Sequence, residues 1–343
     1  MTSPHDLVWF RHGDQATRHG GPGLGYSDPA AQSGGGLGYS GPDKAASAVS
    51  NPAPEIVLKP VFGGRVDTVT NSRFLALDTL ERLNEAERES TVIRKPDLCD
   101  LAKSVHAYYA ISAVPEAYSI TEVQLGYLAK LTGVMEESAV AADLTESARF
   151  SSALQKYSDR VCDPTDLHST QVDVIIFESE AKSRTLLRLK SILTHLKTGG
   201  NCVYHCHQLR DRFTVSVVYL LSCLFGSVTI VKTKACCPHT PDLYIVAKSL
   251  RCQDSNKLMS GVDGCLEALE TARSRGKDVV EILPISLMFQ PSFYKFVSAM
   301  NEKVSLDAFD TIMDLEKMNY QNSFPSGKSN KFILECVNET QKE

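Results

Sequence analysis

The sequence has neither of the apolar segments that would direct it to a membrane or out of the cell. Its longest apolar runs stay well short of the roughly 18 residues that a membrane-spanning helix requires. Its first residues, MTSPHDLVWF, lack the basic stretch and long apolar core of a secretory signal peptide. We therefore expect a protein of the nucleus or the cytoplasm that does not associate with a membrane.

A paired zinc-ligand spacing and an excess of positive charge are also missing. Among the 10 cysteines there is no Cys-x-x-Cys pair, which structural zinc sites usually show. In a reducing compartment such cysteines are reduced and serve as small buried side chains. The formal net charge of −5 excludes a protein that coats nucleic acid by bulk charge, although it leaves room for a local basic groove.

Residues 1–55 are rich in glycine, serine, proline and alanine, and the pentapeptide GLGYS occurs twice in them, at Gly23–Ser27 and Gly36–Ser40. This composition cannot bury enough apolar surface to offset the entropy lost on folding, so it predicts a disordered tail. The alternative is a glycine-rich segment that binds RNA or a protein partner and offers its two tyrosines as stacking faces.

Residues 56–165 favour helices. Leucines recur at helical spacing in Arg73–Glu89, and Ser119–Gly133 begins with a serine cap, has Glu122 three residues later and ends on glycine. No strong strand pattern occurs in this segment. We therefore interpret residues 56–165 as a helical, accessory region.

Residues 166–320 predict an α/β domain, and residues 321–343 a tail. The β-branched run Val172–Phe177 is typical of a strand buried on both faces, and three further strands, NCVYHCHQL, VTIVKT and DLYIVAKSL, follow it. Amphipathic or apolar helices separate the first three of these four strands. Such an alternation predicts a mostly parallel sheet with both faces covered and one antiparallel hairpin at an edge.

Several motifs of this region together resemble a known enzyme family. They are the double glycine before the strand NCVYHCHQL, the helix FTVSVVYLLSCLFG (Phe213–Gly226), the two strands after it, and ILPISLMFQPSFYKFVSAMNEKVSLDAFDTI (Ile282–Ile312). In this order and register they resemble the C-terminal half of the FtsJ/RrmJ-type methyltransferase domain, most closely the cap-specific mRNA 2'-O-methyltransferases that make cap 1. The resemblance implies a Rossmann-like sheet, S-adenosylmethionine as cofactor, no metal, and capped mRNA or another RNA as partner. Residues 56–165 then either rebuild the first half of that sheet or replace it, in which case the sheet is incomplete in its N-terminal half.

The Lys-Asp-Lys-Glu tetrad of that family is not retained. His205 stands where the family has its catalytic lysine, Glu178 where it has aspartate, and Asp242 where it has glutamate, while the first lysine has no match. The resemblance implies that these three are the catalytic positions and that Glu178 also borders the cofactor. Histidine can act as a general base near neutral pH, but it does not supply the fixed positive charge of lysine.

The family's cofactor loop resembles AGPGGFSE after an apolar strand. The candidate here is HGGPGLGYS (His19–Ser27) after LVWF (Leu7–Phe10), which makes Gly21 and Gly23 the candidate cofactor-binding residues. A single glycine-rich match has low specificity. A plain linker and a glycine-patch-like segment therefore stay open as alternatives.

Basic and metal-ligating side chains offer two further candidate sites. An RNA groove would use basic residues expected at exposed edges, namely Arg210, Arg212, Lys232, Lys234, Lys182 and Arg184. A solvated surface of mixed charge is the alternative.

A zinc site would draw on Cys202, His205, Cys206, His207, Cys236, Cys237 and His239. Because alternate residues of a strand point to opposite faces, Cys202 and Cys206 share a face with Tyr204 and not with His205. We therefore expect no metal.

These observations favour a diverged cap 2'-O-methyltransferase-like domain that is impaired as an enzyme and binds RNA or a protein partner. Two alternatives stay open. One is an active mRNA 2'-O-methyltransferase that uses His205 in place of lysine, and the other is a purely structural partner subunit.

Overall fold

The computed structural model describes residues 8–10, 56–64, 74–90, 120–136, 138–145, 148–162, 166–178, 181–206, 209–232, 243–251 and 255–321. Seven strands in these residues form one sheet. In chain order they are β1 (Val8–Phe10), β3 (Val140–Asp143), β4 (Arg160–Cys162), β5 (Val172–Glu178), β6 (Leu196–Cys206), β7 (Phe225–Val231) and β8 (Leu243–Leu250). Two others, β2 (Val61–Gly64) and β9 (Lys277–Glu281), form a separate antiparallel ribbon.

The order of strands across the sheet is β1-β7-β8-β6-β5-β3-β4. The neighbours β4, β3, β5 and β6 are parallel, whereas β8 is antiparallel to both β6 and β7. β7 therefore runs in the same direction as β5 and β6, and the sheet is mostly parallel. This confirms the predicted Rossmann-like α/β fold and its β7–β8 hairpin, although β8 lies inside the sheet and β1 covers the outer side of β7.

Eight helices occur in the described residues. They are α1 (Leu77–Glu89), α2 (Ile120–Thr132), α3 (Ser151–Leu154), α4 (Lys182–His195), α5 (Arg212–Leu224), α6 (Ser255–Ser274), α7 (Ile285–Met288) and α8 (Pro291–Gln321). Asp211 is the N-cap of α5, and its carboxylate accepts a hydrogen bond from the backbone N–H of Thr214. Within the part of the chain that the structure describes, no helix has the length and apolar character needed to span a membrane.

Apolar side chains cover both faces of the sheet, because successive residues of a strand point to opposite sides. Ile175 and Phe177 of β5 pack in a core with helices α4, α5, α6 and α8. Val174 and Ile176 pack on the other face, with α2 and α3. On β6, the residues Cys202, Tyr204 and Cys206 all lie in the first core, as the alternation predicted.

The interpretation of residues 56–165 as helical is wrong near their start, where β2 lies, and for their last part. β3 and β4 lie there and extend the parallel sheet beyond β5, so the sheet does not begin at residue 166. These strands have four and three residues, which is too short for a period of two to be recognised. Among the described residues, two strands lie on this side of β5. Of the tail predicted at 1–55, only Val8–Phe10 is described, as a strand, and residues 322–343 lie outside the described part.

Asp173 holds the amino ends of three neighbouring strands together. Its Oδ2 accepts the backbone N–H groups of Ala139 at 3.1 Å and Val140 at 2.8 Å, at the start of β3. Its Oδ1 accepts a hydrogen bond from Nζ of Lys197, on β6, at 2.7 Å. One carboxylate on β5 thereby sets the position of both adjoining strands.

The stabilisation by Asp173 depends on its ionised form. Burial raises the pKa of this carboxyl, but the hydrogen bonds from Lys197 and Val140 outweigh burial and hold the pKa below its usual value of 3.8. Because the folded-state pKa lies below that of the unfolded chain, the contribution is present above pH 3.8 and lost as the pH falls through the folded value. We expect the stability difference between the unmodified chain and Asp173→Asn to shrink from about pH 5 to about pH 3.

Urea unfolding at both pH values measures this difference. Asp159→Asn is the matched control, because Asp159 is an exposed residue in the turn before β4. A difference for Asp173→Asn that stays constant with pH, as expected for the control, would contradict the assignment.

Candidate functional site

The carboxyl ends of β3, β5 and β6 meet at one edge of the sheet. From β3 the chain moves outward to β4 and then returns to the other side of β3 to form β5, followed by β6. In open parallel sheets, ligands bind in the crevice at such a reversal of direction. Asp143 is the last residue of β3, Glu178 the last of β5, and His205 lies directly opposite Glu178 on β6. The structure therefore brings two of the predicted catalytic positions together.

Arg149, from the loop between β3 and α3, reaches across this crevice. One of its terminal nitrogens, Nη2, lies 2.7 Å from Nδ1 of His205 and 3.3 Å from Oε2 of Glu178. Nδ1 of His205 lies 3.7 Å from the same carboxylate oxygen. The side chains of Glu178 and His205 are more than nine-tenths buried, whereas that of Arg149 is 39% exposed. We call these three residues the Arg149 cluster.

The Arg149 cluster determines how the imidazole is protonated. A guanidinium can only donate hydrogen bonds, so Nδ1 of His205 is the acceptor and the ring proton of the neutral imidazole is on Nε2. The lone pair that a general base would use at Nδ1 is therefore already engaged. The ring also packs on Tyr244 of β8 at 4.8 Å between centroids, and the Tyr244 hydroxyl donates to Gln124 at 2.7 Å.

The fully buried carboxylate of Asp143 organises the loop that carries Arg149. Oδ1 accepts the backbone N–H of Thr145 at 3.0 Å and its hydroxyl at 2.6 Å. Oδ2 accepts the backbone N–H of Phe150 at 2.7 Å and the hydroxyl of Ser151 at 3.1 Å. Both ends of the loop are thus tied to the last residue of β3, which places the guanidinium of Arg149 over the neighbouring strands.

The described residues of this loop do not fit S-adenosylmethionine. Glycine-rich cofactor loops bind by presenting free backbone N–H groups and by letting the ligand approach the backbone closely. Here the N–H groups of Thr145 and Phe150 bond to Asp143, and those of Leu144, Ala148 and Arg149 bond to Ile176 O, Thr145 O and Thr145 Oγ1. None of these five donors is free, and residues 146–147 lie outside the described part.

The sequence analysis placed the cofactor loop elsewhere, at Gly21 and Gly23, and both lie outside the described residues. The strand before them, Val8–Phe10, lies beside β7 at the edge of the sheet, and four strands separate it from β3. A weak signal for the loop after β3 is the pair Phe150-Ser151, which matches the Phe-Ser of the family pattern AGPGGFSE. It was missed because every glycine of that pattern is replaced.

Of the predicted RNA-binding cations that the structure describes, Arg210 is buried and three others lie near carboxylates. Arg210 was expected to be exposed and is not, since only 8% of its surface is accessible, and burial lowers its pKa. Arg212 lies 3.9 Å from a carboxylate oxygen of Glu281. Lys182 donates to Asp278. Lys232 lies near Asp307, although burial raises the pKa of that carboxyl above its usual value. Lys234 and the third predicted catalytic residue, Asp242, lie outside the described residues.

The cysteines of β6 pack in the core. Cys202 and Cys206 are fully buried on the face away from His205, and burial raises the pKa of the Cys202 thiol far above its usual value. In the described residues no three His, Cys, Asp or Glu side chains are grouped to hold a metal ion. His207, Cys236, Cys237 and His239 of the zinc hypothesis lie outside them.

Solved structures that match this chain are S-adenosylmethionine-dependent and other methyltransferases. An rRNA methylase from Streptococcus thermophilus is 14% identical, over 35% of this chain and 92% of that one, with a TM-score of 0.28. An O-methyltransferase family protein from Burkholderia thailandensis is 10% identical, over 51% and 69%, with a TM-score of 0.28. Human N-acetylserotonin methyltransferase, solved with S-adenosylmethionine, is 12% identical over 50% and 66%, with a TM-score of 0.24.

No protein-family model matches the chain, and no curated protein matches it. The structural likenesses have identities of 10–14% and TM-scores below 0.3, so they carry no argument about activity. An inference about activity therefore rests on the geometry at the carboxyl ends of β3, β5 and β6.

Asp143 can be tested through its four hydrogen bonds. In Asp143→Asn one oxygen becomes an NH₂ group, which cannot accept and faces N–H and O–H donors. We expect the free energy of unfolding to fall by about 2–4 kcal/mol and the amide of Phe150 to exchange faster. Urea unfolding and hydrogen exchange measure the two effects. Asp159→Asn, at an exposed position before β4, is the control, and equal losses in both variants would contradict this role.

The loop also contains a residue in the left-handed region. Ala148 has φ = 47°, a conformation that disfavours any residue with a Cβ. We expect Ala148→Gly to raise the free energy of unfolding by about 0.5–1 kcal/mol, because relief of strain exceeds the extra entropy of glycine in the unfolded chain. Thermal unfolding measures this gain. Ala86→Gly is the control, since Ala86 lies inside α1, where glycine in place of alanine should lower the stability instead of raising it.

Proposed function

We propose that this chain is a methyltransferase-like domain that does not transfer methyl groups and acts by binding a protein partner. The observation that carries the proposal is the Arg149 cluster, in which one guanidinium bonds to His205 and Glu178 across the crevice. These are the two described residues at positions that the family resemblance marks as catalytic.

Methyl transfer to a ribose hydroxyl, which the resemblance implies, requires a group that removes the hydroxyl proton. The Nδ1 lone pair of His205 is engaged by Arg149, and the charge of Glu178 is balanced by the same guanidinium. A cofactor loop with free N–H donors is required as well, and the five described donors of the β3–α3 loop bond within the protein. Both observations support a site without this chemistry.

The distribution of charge favours a protein partner over capped mRNA or another RNA. Most of the described candidate cations lie beside carboxylates, as in Arg212–Glu281 and Lys182–Asp278. A neutralised cation releases few counterions from a phosphate backbone and adds little to RNA affinity. The net charge of −5 acts in the same direction.

The second candidate function is an active 2'-O-methyltransferase that uses His205. The observation in its favour is that Glu178 and His205 lie side by side at the ends of β5 and β6, in the crevice where such a fold binds ligands. Arg149 is the element that separates the two hypotheses. Its side chain is partly exposed, so its displacement would release His205.

Titration calorimetry with S-adenosylmethionine tests the proposal. We expect no binding to the unmodified chain at millimolar cofactor, because the loop donors are used internally, and no methyl transfer to capped RNA. Binding in the micromolar range, which is common for cofactor sites, would overturn the proposal.

Two arginine variants sharpen this experiment. Arg149→Ala opens the crevice, whereas Arg160→Ala removes an exposed arginine of β4 and serves as the control. Cofactor binding gained only by Arg149→Ala would show that this side chain closes the site. Capped RNA is titrated in parallel at two salt concentrations. An affinity that falls steeply with salt would indicate that the partner is RNA and not a protein.

A further inference from the structure

The ribbon of β2 and β9 leaves apolar side chains on the surface. Val57, which precedes β2, is 54% exposed, and Val61 and Phe62 of the strand are 36% and 47% exposed. A single exposed apolar residue is ordinary, but here three of them lie within six positions of the chain. Such a group of exposed apolar side chains is typical of a contact surface.

Basic side chains lie beside these apolar ones. In the antiparallel pairing of β2 with β9, Lys277 lies opposite Gly64, two residues from Phe62. Residues two apart in a strand share a face, so Lys277 and Phe62 lie on the same side of the ribbon. The turn before β9 adds Arg275, and the last turn of α6 adds Arg273. Three cations therefore lie within five positions of the chain at this end of the ribbon.

These cations and apolar residues form one surface, the ribbon patch, which comprises Val57, Lys59, Val61, Phe62, Arg273, Arg275 and Lys277. Its four cations are exposed, and none of them pairs with a carboxylate in the described part of the chain. Elsewhere, lysines such as Lys182 and Lys190 bond to aspartates of neighbouring elements. The dipole of α6 favours a cation in its last turn, which accounts for Arg273 but not for Lys277 of β9.

We propose that the ribbon patch is the surface on which this domain binds its protein partner, and that the partner segment is acidic and apolar. The inference rests on the proposed function, which requires a protein partner, and adds the chemistry of the segment. Carboxylates of the segment meet Arg275 and Lys277, and its apolar side chains pack on Val61 and Phe62. Complementary charge favours this occupant, since a basic segment would bring like charges together at close range.

RNA and a second copy of the chain fit the ribbon patch less well. Single-stranded nucleic acids stack their bases on aromatic rings along a basic groove. Phe62 supplies the one aromatic ring of the patch, whereas Val57 and Val61 offer β-branched surface that suits apolar side chains. A symmetric contact between two copies would place the same unpaired cations against one another.

Selection from a random library of 12-residue peptides, displayed against the full chain, tests the proposal. We expect the selected peptides to contain several Asp or Glu and at least two large apolar residues. The patch variant, Arg273→Gln/Arg275→Gln/Lys277→Gln, should bind these peptides about tenfold more weakly than the unmodified chain does, because three charge contacts are lost. The affinity for the unmodified chain should also fall as the salt concentration rises.

Two matched controls separate the patch from general effects of charge and apolar surface. Arg88→Gln/Arg160→Gln/Lys295→Gln removes three exposed cations elsewhere and should change the affinity by less than about twofold. Phe62→Ser should weaken binding about threefold or more through the lost apolar contact. Leu187→Ser, at a residue of α4 that is 50% exposed, should not.

Three outcomes would overturn the inference. Peptides that bind the patch variant as tightly as the unmodified chain would indicate another docking surface and leave the proposed function standing. Selection of basic or uncharged peptides, or of no peptide, would exclude an acidic partner segment. Single-stranded RNA that binds the unmodified chain but not the patch variant would make RNA the occupant, and the proposed function would then fail together with the inference.

Discussion

The strands at the centre of this fold are buried on both faces, and polar groups at their ends must therefore find partners inside the protein. Asp143, Glu178 and His205 stand at the carboxyl ends of three such strands, and all three are almost completely inaccessible. A buried charge without a partner is costly. The β3–α3 loop meets this requirement twice, since its backbone and hydroxyl donors satisfy Asp143 and its guanidinium satisfies Glu178 and His205.

The same interactions that stabilise this edge also close it. A binding crevice needs unused donors and space, and in the described loop the donors point to Asp143, Thr145 and Ile176. A catalytic base needs a free lone pair, and that of His205 Nδ1 is occupied. Polar satisfaction and catalysis compete for the same atoms, and this competition is the physical basis of the proposal that the domain does not transfer methyl groups. The opposite end of the sheet has no such competition, and there Asp173 serves only to align β3, β5 and β6.

Charge pairing continues this pattern on the helical side of the domain. Arg212 lies beside Glu281 of β9, and Lys182, at the start of α4, contacts Asp278 of the same strand. These ion pairs lower the positive potential that an anionic ligand would meet.

Local pattern was enough to predict the strands β5, β7 and β8 and the helices α4 and α5, because a continuous apolar run or a helical stripe is a property of neighbouring residues. It was also enough to place Cys202 and Cys206 on the face opposite His205, since alternation along a strand is local. The family resemblance marked Glu178 and His205, which do lie opposite each other on neighbouring strands.

Tertiary structure decided what depends on residues far apart in the chain. β3 is a strand because β5 offers it a paired edge, and β4 pairs in turn with β3; their few residues are too short to show a period of two. Arg149 meets His205 across 56 positions of sequence, and no local pattern predicts that a loop arginine will use the lone pair of a histidine on another strand. Arg210 is charged and was expected at the surface, yet the packing of neighbouring elements buries it. Sequence by itself thus determined which segments can be strands or helices and which positions can hold chemistry. The three-dimensional contacts decided whether those positions are open or already engaged, because hydrogen bonds between distant residues exist only once the chain has folded.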